Sequence, residues 1–149
     1  MVAGNDLPDR VIFIPGVPVA QGRPRFTTRN GKPRAIDPAR SRGWKIMAGH
    51  LMKIAMGSPP LHGPIELRME ATWPLPASQQ RKRSVPSKTR RVSRPDLENV
   101  LKCWMDAATG IVYRDDSQVV RVIAEKWTAG QGDLVGVRVE VRELRGEGE

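Results

Sequence analysis

Alternating apolar and polar positions predict most of the β-strands. In residues 65–73 every second side chain is apolar, which is the period of a half-buried strand. Residues 10–19 predict a first strand, which we place at a sheet edge because it contains two prolines and proline cannot donate to a central ladder. Residues 118–128 and 134–142 predict two more strands. We expect these two to form an antiparallel pair across 129–133.

Apolar residues at helical spacing predict two helices. Asp37 and Pro38 offer an N-cap and a first helical residue, apolar side chains then recur between 44 and 55, and Gly57 offers a stop. A second helix is predicted over about 95–109. The order βαβαββ is typical of an α+β domain, with a small mixed sheet of about four strands and two main helices.

The length and composition indicate one intracellular domain. A chain of 149 residues is the size of a single domain, predicted over 1–149. The single cysteine, Cys103, cannot form an intramolecular disulfide and lacks the partners of a zinc site. No secretory signal or membrane span is recognisable. We therefore expect a cytoplasmic protein that has no membrane partner.

The charge is strongly positive and unevenly distributed. Of 25 Lys and Arg residues, eight lie within 23–45 and seven within 81–94, whereas five of the 16 acids lie within 96–116. The first basic segment falls in a predicted mobile loop or hairpin at about 20–36, and the second falls in a predicted loop at about 74–94. Basic stretches bind polyanions by displacing counterions, so nucleic acid is the favoured partner. A solvated charged face or a membrane-surface patch is the alternative.

The second predicted helix has an apolar and a polar side. At 100° per residue, the apolar stripe consists of Leu97, Val100, Leu101, Trp104 and Ala108. The opposite side carries Glu98, Asn99, Lys102 and Asp106, with Asp96 at the helix start.

This polar side suggests a hard-cation site. If the turn after the helix returns to it, Asp115 or Asp116 would join Asp96 and Glu98, and magnesium prefers such oxygen ligands. Each feature also has a structural interpretation. Glu98 and Lys102 at i,i+4 could be a surface ion pair, and Asp96 could be only a cap or a partner of the helix dipole. Asp115 and Asp116 could serve only the turn.

The same stretch resembles a known family. Residues 94–102 read R-P-D-L-E-N-V-L-K and residues 104–120 read W-M-D-A-A-T-G-I-V-Y-R-D-D-S-Q-V-V. Together with G-R-P-R-F at 22–26, these resemble the RusA family of Holliday-junction resolvases, of the phage and prophage type. Only 94–120 is highly specific, although the resemblance follows most of the chain in order.

The resemblance implies a set of site residues. Asp96, Glu98 and Asp116 would be the catalytic metal-binding carboxylates and Lys102 the essential lysine, while Asn99 and Asp106 match supporting positions. Glu98 departs from the family pattern, in which aspartate is commoner, and its additional methylene moves the ligand oxygen by about one bond length.

The resemblance also implies an activity. It predicts a homodimeric endodeoxyribonuclease, dependent on Mg²⁺ or Mn²⁺ and on no small-molecule cofactor, that resolves branched DNA by paired symmetric nicks in recombination and repair. The alternatives are a catalytically weak or silent branched-DNA-binding protein and a general nucleic-acid-binding module. The predicted DNA-binding residues are Arg23, Arg25, Arg81, Lys82, Arg83, Lys88, Arg90 and Arg91. Phe26 is either a wedge at the junction centre or a loop residue tucked against the core.

Overall fold

The secondary structure confirms the predicted α+β class. A computed structural model describes residues 7–36, 38–80 and 86–146. The elements are β1 (Arg10–Pro15), β2 (Arg25–Arg29), β3 (Lys32–Ile36), α1 (Ala39–Met56), β4 (Ile65–Trp73), β5 (Thr89–Arg90), α2 (Leu97–Ala108), β6 (Val119–Thr128) and β7 (Gly136–Glu143). Two single-turn 3₁₀ segments, Ala77–Gln79 and Asp116–Gln118, complete the description. Neither α1 nor α2 is long and apolar enough to cross a membrane.

The five-stranded sheet has the order β1-β7-β4-β6-β5. The predicted antiparallel pairing of β6 with β7 is wrong, because β4 lies between them, parallel to β6 and antiparallel to β7. The connection at 129–135 passes over the end of β4, where the amide of Ala129 donates to the carbonyl of Trp73 at 2.8 Å. Stepping over one strand requires only about 10 Å, so a short connection does not force two strands to be neighbours.

The core lies between the two helices and one face of the sheet. Its alternating residues in β4 are buried as predicted, and the residues of α2 that face them are Val100, Cys103, Trp104, Ala107 and Ala108. Helix α1 contributes Trp44, Ala48, Met52 and Met56. It ends at Gly57 in the left-handed region (φ 57°), as predicted, and begins after Pro38 in the N-cap position; the predicted cap, Asp37, lies outside the described residues.

The basic segment at 20–36 forms a hairpin, one of the two structures predicted for it. Strands β2 and β3 pair antiparallel around Asn30 and Gly31, both of which have positive φ, the combination that favours a tight hairpin turn. Phe26 is 76% exposed, so it is not tucked against the core.

The sheet face away from the helices contains one buried carboxylate. Glu66 is 2% exposed and accepts hydrogen bonds from Arg68 at 2.9 Å, Arg121 at 2.9 Å and Arg142 at 3.2 Å. Burial alone would raise the pKa of Glu66, but the three guanidinium groups outweigh it and hold the pKa below its usual value of 4.5. This carboxylate therefore stays ionised as part of the sheet.

Candidate active site

The N-terminal end of α2 presents two exposed carboxylates. Asp96 occupies the N-cap position, yet its side chain makes no capping hydrogen bond. Glu98 lies in the first turn and is exposed. The structure therefore does not support a side-chain capping role for Asp96, whereas its interaction with the helix dipole stays a prediction. The positive end of the helix dipole still favours anionic groups here.

Lys102 lies one turn further along the same exposed side of α2. Across the part of the chain that the structure describes, no ion pair within 4.0 Å joins it to Glu98. The surface-pair interpretation of these two residues is therefore not supported, and both side chains face solvent.

Asp115 is held by hydrogen bonds within the turn that follows α2. Asp115 forms a capping box with Gln118 and accepts a hydrogen bond from the hydroxyl of Ser117, which is the main cause of the lowered pKa of Asp115. The side chain of Gln118 accepts from the amide of Arg114 at 2.8 Å and donates to the carbonyl of Leu61 at 2.9 Å. Asp115 therefore serves the turn.

The acidic turn meets α2 at the C-terminal end of the helix. Tyr113 is buried and its hydroxyl donates to the carbonyl of Met105 at 3.0 Å. Burial raises the pKa of Tyr113, and the negative charges of Asp116, Asp106 and Asp115 raise it further. These three carboxylates thus lie around the last turns of α2.

The predicted metal ligands are therefore divided between the two ends of one helix. Asp96 and Glu98 lie at its start and Asp116 near its end, and the 12 residues of α2 span roughly 18 Å. Within residues 7–36, 38–80 and 86–146, no three His, Cys, Asp or Glu side chains are grouped to hold one metal ion. The turn does not return to the Asp96 end within a single chain.

A polar chain connects the middle of α2 to α1 and to the segment before the hairpin. Lys45 lies 3.7 Å from a carboxylate oxygen of Asp106 and donates to the side-chain oxygen of Gln21 at 2.9 Å. The amide of Gln21 donates to the carbonyl of Asn99 at 2.8 Å. Sequence reasoning missed Lys45 and Gln21, because their partners are 24 residues or more away along the chain.

A basic cavity adjoins the Asp96 end of α2. It has a volume of about 400 Å³, and its lining includes Arg40, Arg91, Arg94, Trp73 and Pro95. The guanidinium group of Arg91 lies 4.8 Å from the Trp73 ring centroid and donates to the carbonyl of Arg94 at 2.8 Å. Arg91 is thus partly committed to structure. Arg40 and Arg94 are exposed and were not among the predicted DNA contacts.

The remaining predicted DNA contacts are only partly described. Arg23 is exposed. Lys88 and Arg90 are also exposed, and their cationic groups lie 4.2 and 4.4 Å from the Trp127 ring centroid, which holds both at the end of β6. The side chain of Arg25 and residues 81–83 lie outside the described part of the chain.

Comparison with known proteins identifies the family of this chain. The family model for endodeoxyribonuclease RusA matches residues 15–142. The uncharacterized protein YqaN of Bacillus subtilis (strain 168) is 32% identical over 134 residues, which cover 87% of this chain and 92% of the relative. The residues matched by the family model include both helices and the whole segment from Arg94 to Val120. The chain belongs to the RusA endodeoxyribonuclease family, whose members resolve Holliday junctions.

Proposed function

We propose that this protein is a divalent-metal-dependent endonuclease that resolves four-way DNA junctions by paired symmetric nicks during recombination and repair. The observation that carries the proposal is the pair of exposed carboxylates, Asp96 and Glu98, beside a cavity lined by three arginines. Exposed carboxylates without a structural partner repel a bound polyanion. This repulsion weakens binding unless a cation lies between the two. Family membership supports the same activity.

The donor set fits a hard cation. Asp96, Glu98 and Asp116 offer only oxygen ligands and all are exposed, as suits Mg²⁺ or Mn²⁺, which retain several waters. The bound metal would polarise the scissile phosphate and lower the pKa of a coordinated water. Lys102 can stabilise negative charge on the phosphate from the same side of α2, and Arg40 and Arg94 can hold the neighbouring phosphates.

We further propose that two copies complete each metal site. Asp96 and Asp116 lie at opposite ends of α2, and a two-fold axis across the dimer would bring the start of one α2 toward the end of the other. Such an isologous contact occurs twice, so the dimer would have two sites, each combining Asp96 and Glu98 with Asp116 of the partner subunit. Two sites related by a two-fold axis match the two symmetric nicks.

Cleavage of a labelled four-way junction tests the activity. With Mg²⁺ we expect paired nicks from the natural chain and none from Asp96→Asn, while both proteins bind the junction. Junction binding without cleavage by the natural chain, in Mg²⁺ and in Mn²⁺, would instead identify a silent branched-DNA-binding protein. Cleavage that persists in excess chelator would refute the metal requirement.

A further inference from the structure

The β2–β3 hairpin is a separate two-stranded sheet that is uncovered on both faces. Among the described residues, its strands pair only with each other, and every residue from Phe26 to Ala35 is exposed. A two-stranded hairpin with neither face covered is marginally stable in water. A ligand that covers the hairpin would therefore stabilise it.

The two faces of the hairpin differ in charge. Residues directly opposite each other in an antiparallel pair point to the same face, and side chains alternate along each strand. The cationic face consists of Thr27, Arg29, Lys32 and Arg34. The uncharged face consists of Phe26, Thr28, Pro33 and Ala35. A ligand that uses both faces must therefore offer an anionic surface and an apolar one.

The cationic face has no acidic partner within the described part of the chain. No ion pair within 4.0 Å involves Arg29, Lys32 or Arg34 there. Together with Asn30, these residues line a cavity of about 430 Å³ at the tip of the hairpin. Because three cations around one cavity repel each other, this face favours an anionic ligand such as a nucleic-acid backbone.

The uncharged face presents an aromatic ring. Phe26 is 76% exposed, and its neighbours on this face are small or rigid side chains. Such a surface suits the flat face of a base, and stacking on an aromatic ring contributes roughly 5- to 150-fold to affinity for each base. Base faces are accessible only where the stack of base pairs is interrupted. A continuous duplex therefore offers this face nothing to stack on.

The hairpin begins close to the exposed carboxylates of α2. The amide of Gln21 donates to the carbonyl of Asn99, in the first turn of α2, at 2.8 Å. Four residues of extended chain, at most about 14 Å, separate Gln21 from the start of β2 at Arg25. Successive phosphates of one strand are about 3.4 Å apart along the duplex axis. The hairpin therefore contacts DNA within a few nucleotides of a phosphate bound at Asp96.

We propose that the hairpin recognises the branch point of the DNA. Phe26 stacks on the exposed base pair at the end of one arm, while the cationic face binds the backbone of the strand that crosses to the next arm. A branch point offers both surfaces side by side, whereas a duplex offers only phosphates. The hairpin thus distinguishes a branched substrate from a duplex. This inference rests on the branched-DNA substrate proposed above.

Affinities for junction and duplex, measured in excess chelator, test the uncharged face. Phe26→Ala should lower the affinity for a four-way junction by at least about fivefold and leave the affinity for a duplex of the same sequence unchanged. Phe26→Trp should keep the preference for the junction because it retains a ring that stacks. Leu134→Ala is the matched control, since Leu134 is 75% exposed in the connection between β6 and β7; it should change neither affinity.

Salt dependence tests the cationic face. Replacing Arg29, Lys32 and Arg34 together with glutamine should reduce the slope of log junction affinity against log salt by about 0.9 for each phosphate that is no longer neutralised. Phe26→Ala should leave this slope unchanged, because a stacked ring releases no counterion. An unchanged slope in the triple variant would refute the backbone contact.

Photocrosslinking locates the base that Phe26 contacts. Iodouracil at the branch point should crosslink to Phe26, as identified by mass spectrometry of the crosslinked peptide. The same base placed about 10 base pairs, or one helical turn, into an arm should not. A crosslink from the arm position alone, or an equal loss of junction and duplex affinity in Phe26→Ala, overturns the proposal. A shift of Phe26→Ala to a smaller oligomer would show that the uncharged face binds another copy of the chain instead.

These outcomes are separate from nuclease activity because binding is measured without metal. If Phe26→Ala keeps the full preference for the junction and the natural chain nicks junctions in Mg²⁺, only the role of the hairpin is refuted. Equal affinity of the natural chain for junction and duplex also refutes that role. If Phe26→Ala loses the preference but the natural chain never nicks a junction, the role of the hairpin stands and the proposed activity is refuted.

Discussion

Glu66 and the Asp96–Glu98 pair are acids used in opposite ways. Glu66 is buried on the open face of the sheet and receives three guanidinium groups. Asp96 and Glu98 are exposed at the start of α2, and neither is used as a cap or in a described ion pair. A carboxylate that stabilises a fold is desolvated and paired with cationic groups. A carboxylate that binds a ligand is exposed, and its removal should not change the free energy of unfolding.

This comparison predicts that Asp96→Asn separates activity from stability. A ligand's supporting residues typically contribute 10- to 100-fold to metal affinity or activity, so loss of a direct ligand should lower the nicking rate by more than about 100-fold. The midpoint of thermal unfolding should stay within roughly 2 °C, since the aspartate side chain makes no capping hydrogen bond that the fold needs. Near-natural nicking by Asp96→Asn would remove this residue from the site.

Mixing two inactive variants tests whether each site is shared. Asp96→Asn and Asp116→Asn should each be inactive, but their heterodimer contains one site with both changes and one with neither. After random exchange about a quarter of all sites should be intact, so the mixture should recover single nicks. A mixture as inactive as its components places each site within one chain.

Glu98 should show a graded effect that depends on its charge. Glu98→Gln should lower the nicking rate by at least about 10-fold because an amide is a poorer ligand, whereas Glu98→Asp should stay active with a changed ratio of Mg²⁺ to Mn²⁺ rates. The nicking rates of Lys102→Ala with the same two metals serve as the comparison for those of the Glu98 variants. Full activity in Glu98→Gln would show that Glu98 is not a ligand.

Glu66→Gln should produce the opposite result. Hydrogen bonds to charged groups contribute about 1.5–3 kcal/mol, and the arginines are partly exposed, so we expect a loss of about 2 kcal/mol in the free energy of unfolding and little change in nicking by the folded protein. Because folding lowers the pKa of Glu66, its stabilisation is fully present above about pH 4.5 and is lost as the pH falls.

The pH dependence supplies the control for Glu66. Urea unfolding of the natural chain and of Glu66→Gln should differ most near neutral pH, and the two free energies should converge in acid. An equal difference at pH 7 and pH 3 would show that packing, and not charge, carries the effect.

Replacing arginines of the basic cavity should have a smaller effect than any of the substitutions above. Replacing Arg40 and Arg94 together with glutamine should weaken binding to junction and duplex alike. It should reduce the slope of log affinity against log salt by about 0.9 for each phosphate that the double variant no longer neutralises. An unchanged slope would mean that these arginines contact no phosphate; Arg42→Gln, at an exposed position on α1 outside the cavity lining, is the control.

The sequence predicts secondary structure better than it predicts which strands and side chains are neighbours in the fold. The alternation in 65–73 matched the bounds of β4 and its buried apolar positions, because period-two burial is a local property. It did not show that Glu66 on the other face is buried too, since Arg121 and Arg142, which pair with it, are distant in sequence. The same signal identified β6 and β7 but not the strand between them, since alternation carries no information on neighbours. Likewise, the family resemblance implied that Asp96, Glu98 and Asp116 belong to one site, whereas their separation along α2 follows from the tertiary path of the chain.

The β2–β3 hairpin has the geometry of a lever. Its five-residue strands extend about 17 Å and lie about 4.8 Å apart. At the base, Gly22 packs so closely against Pro38 that an added Cβ would lie 2.6 Å from the proline ring. Forcing that contact open by about 1 Å would move the tip, with Asn30 and Gly31, by roughly 3–4 Å. A single methyl group at position 22 would therefore change the direction in which the β2–β3 hairpin projects.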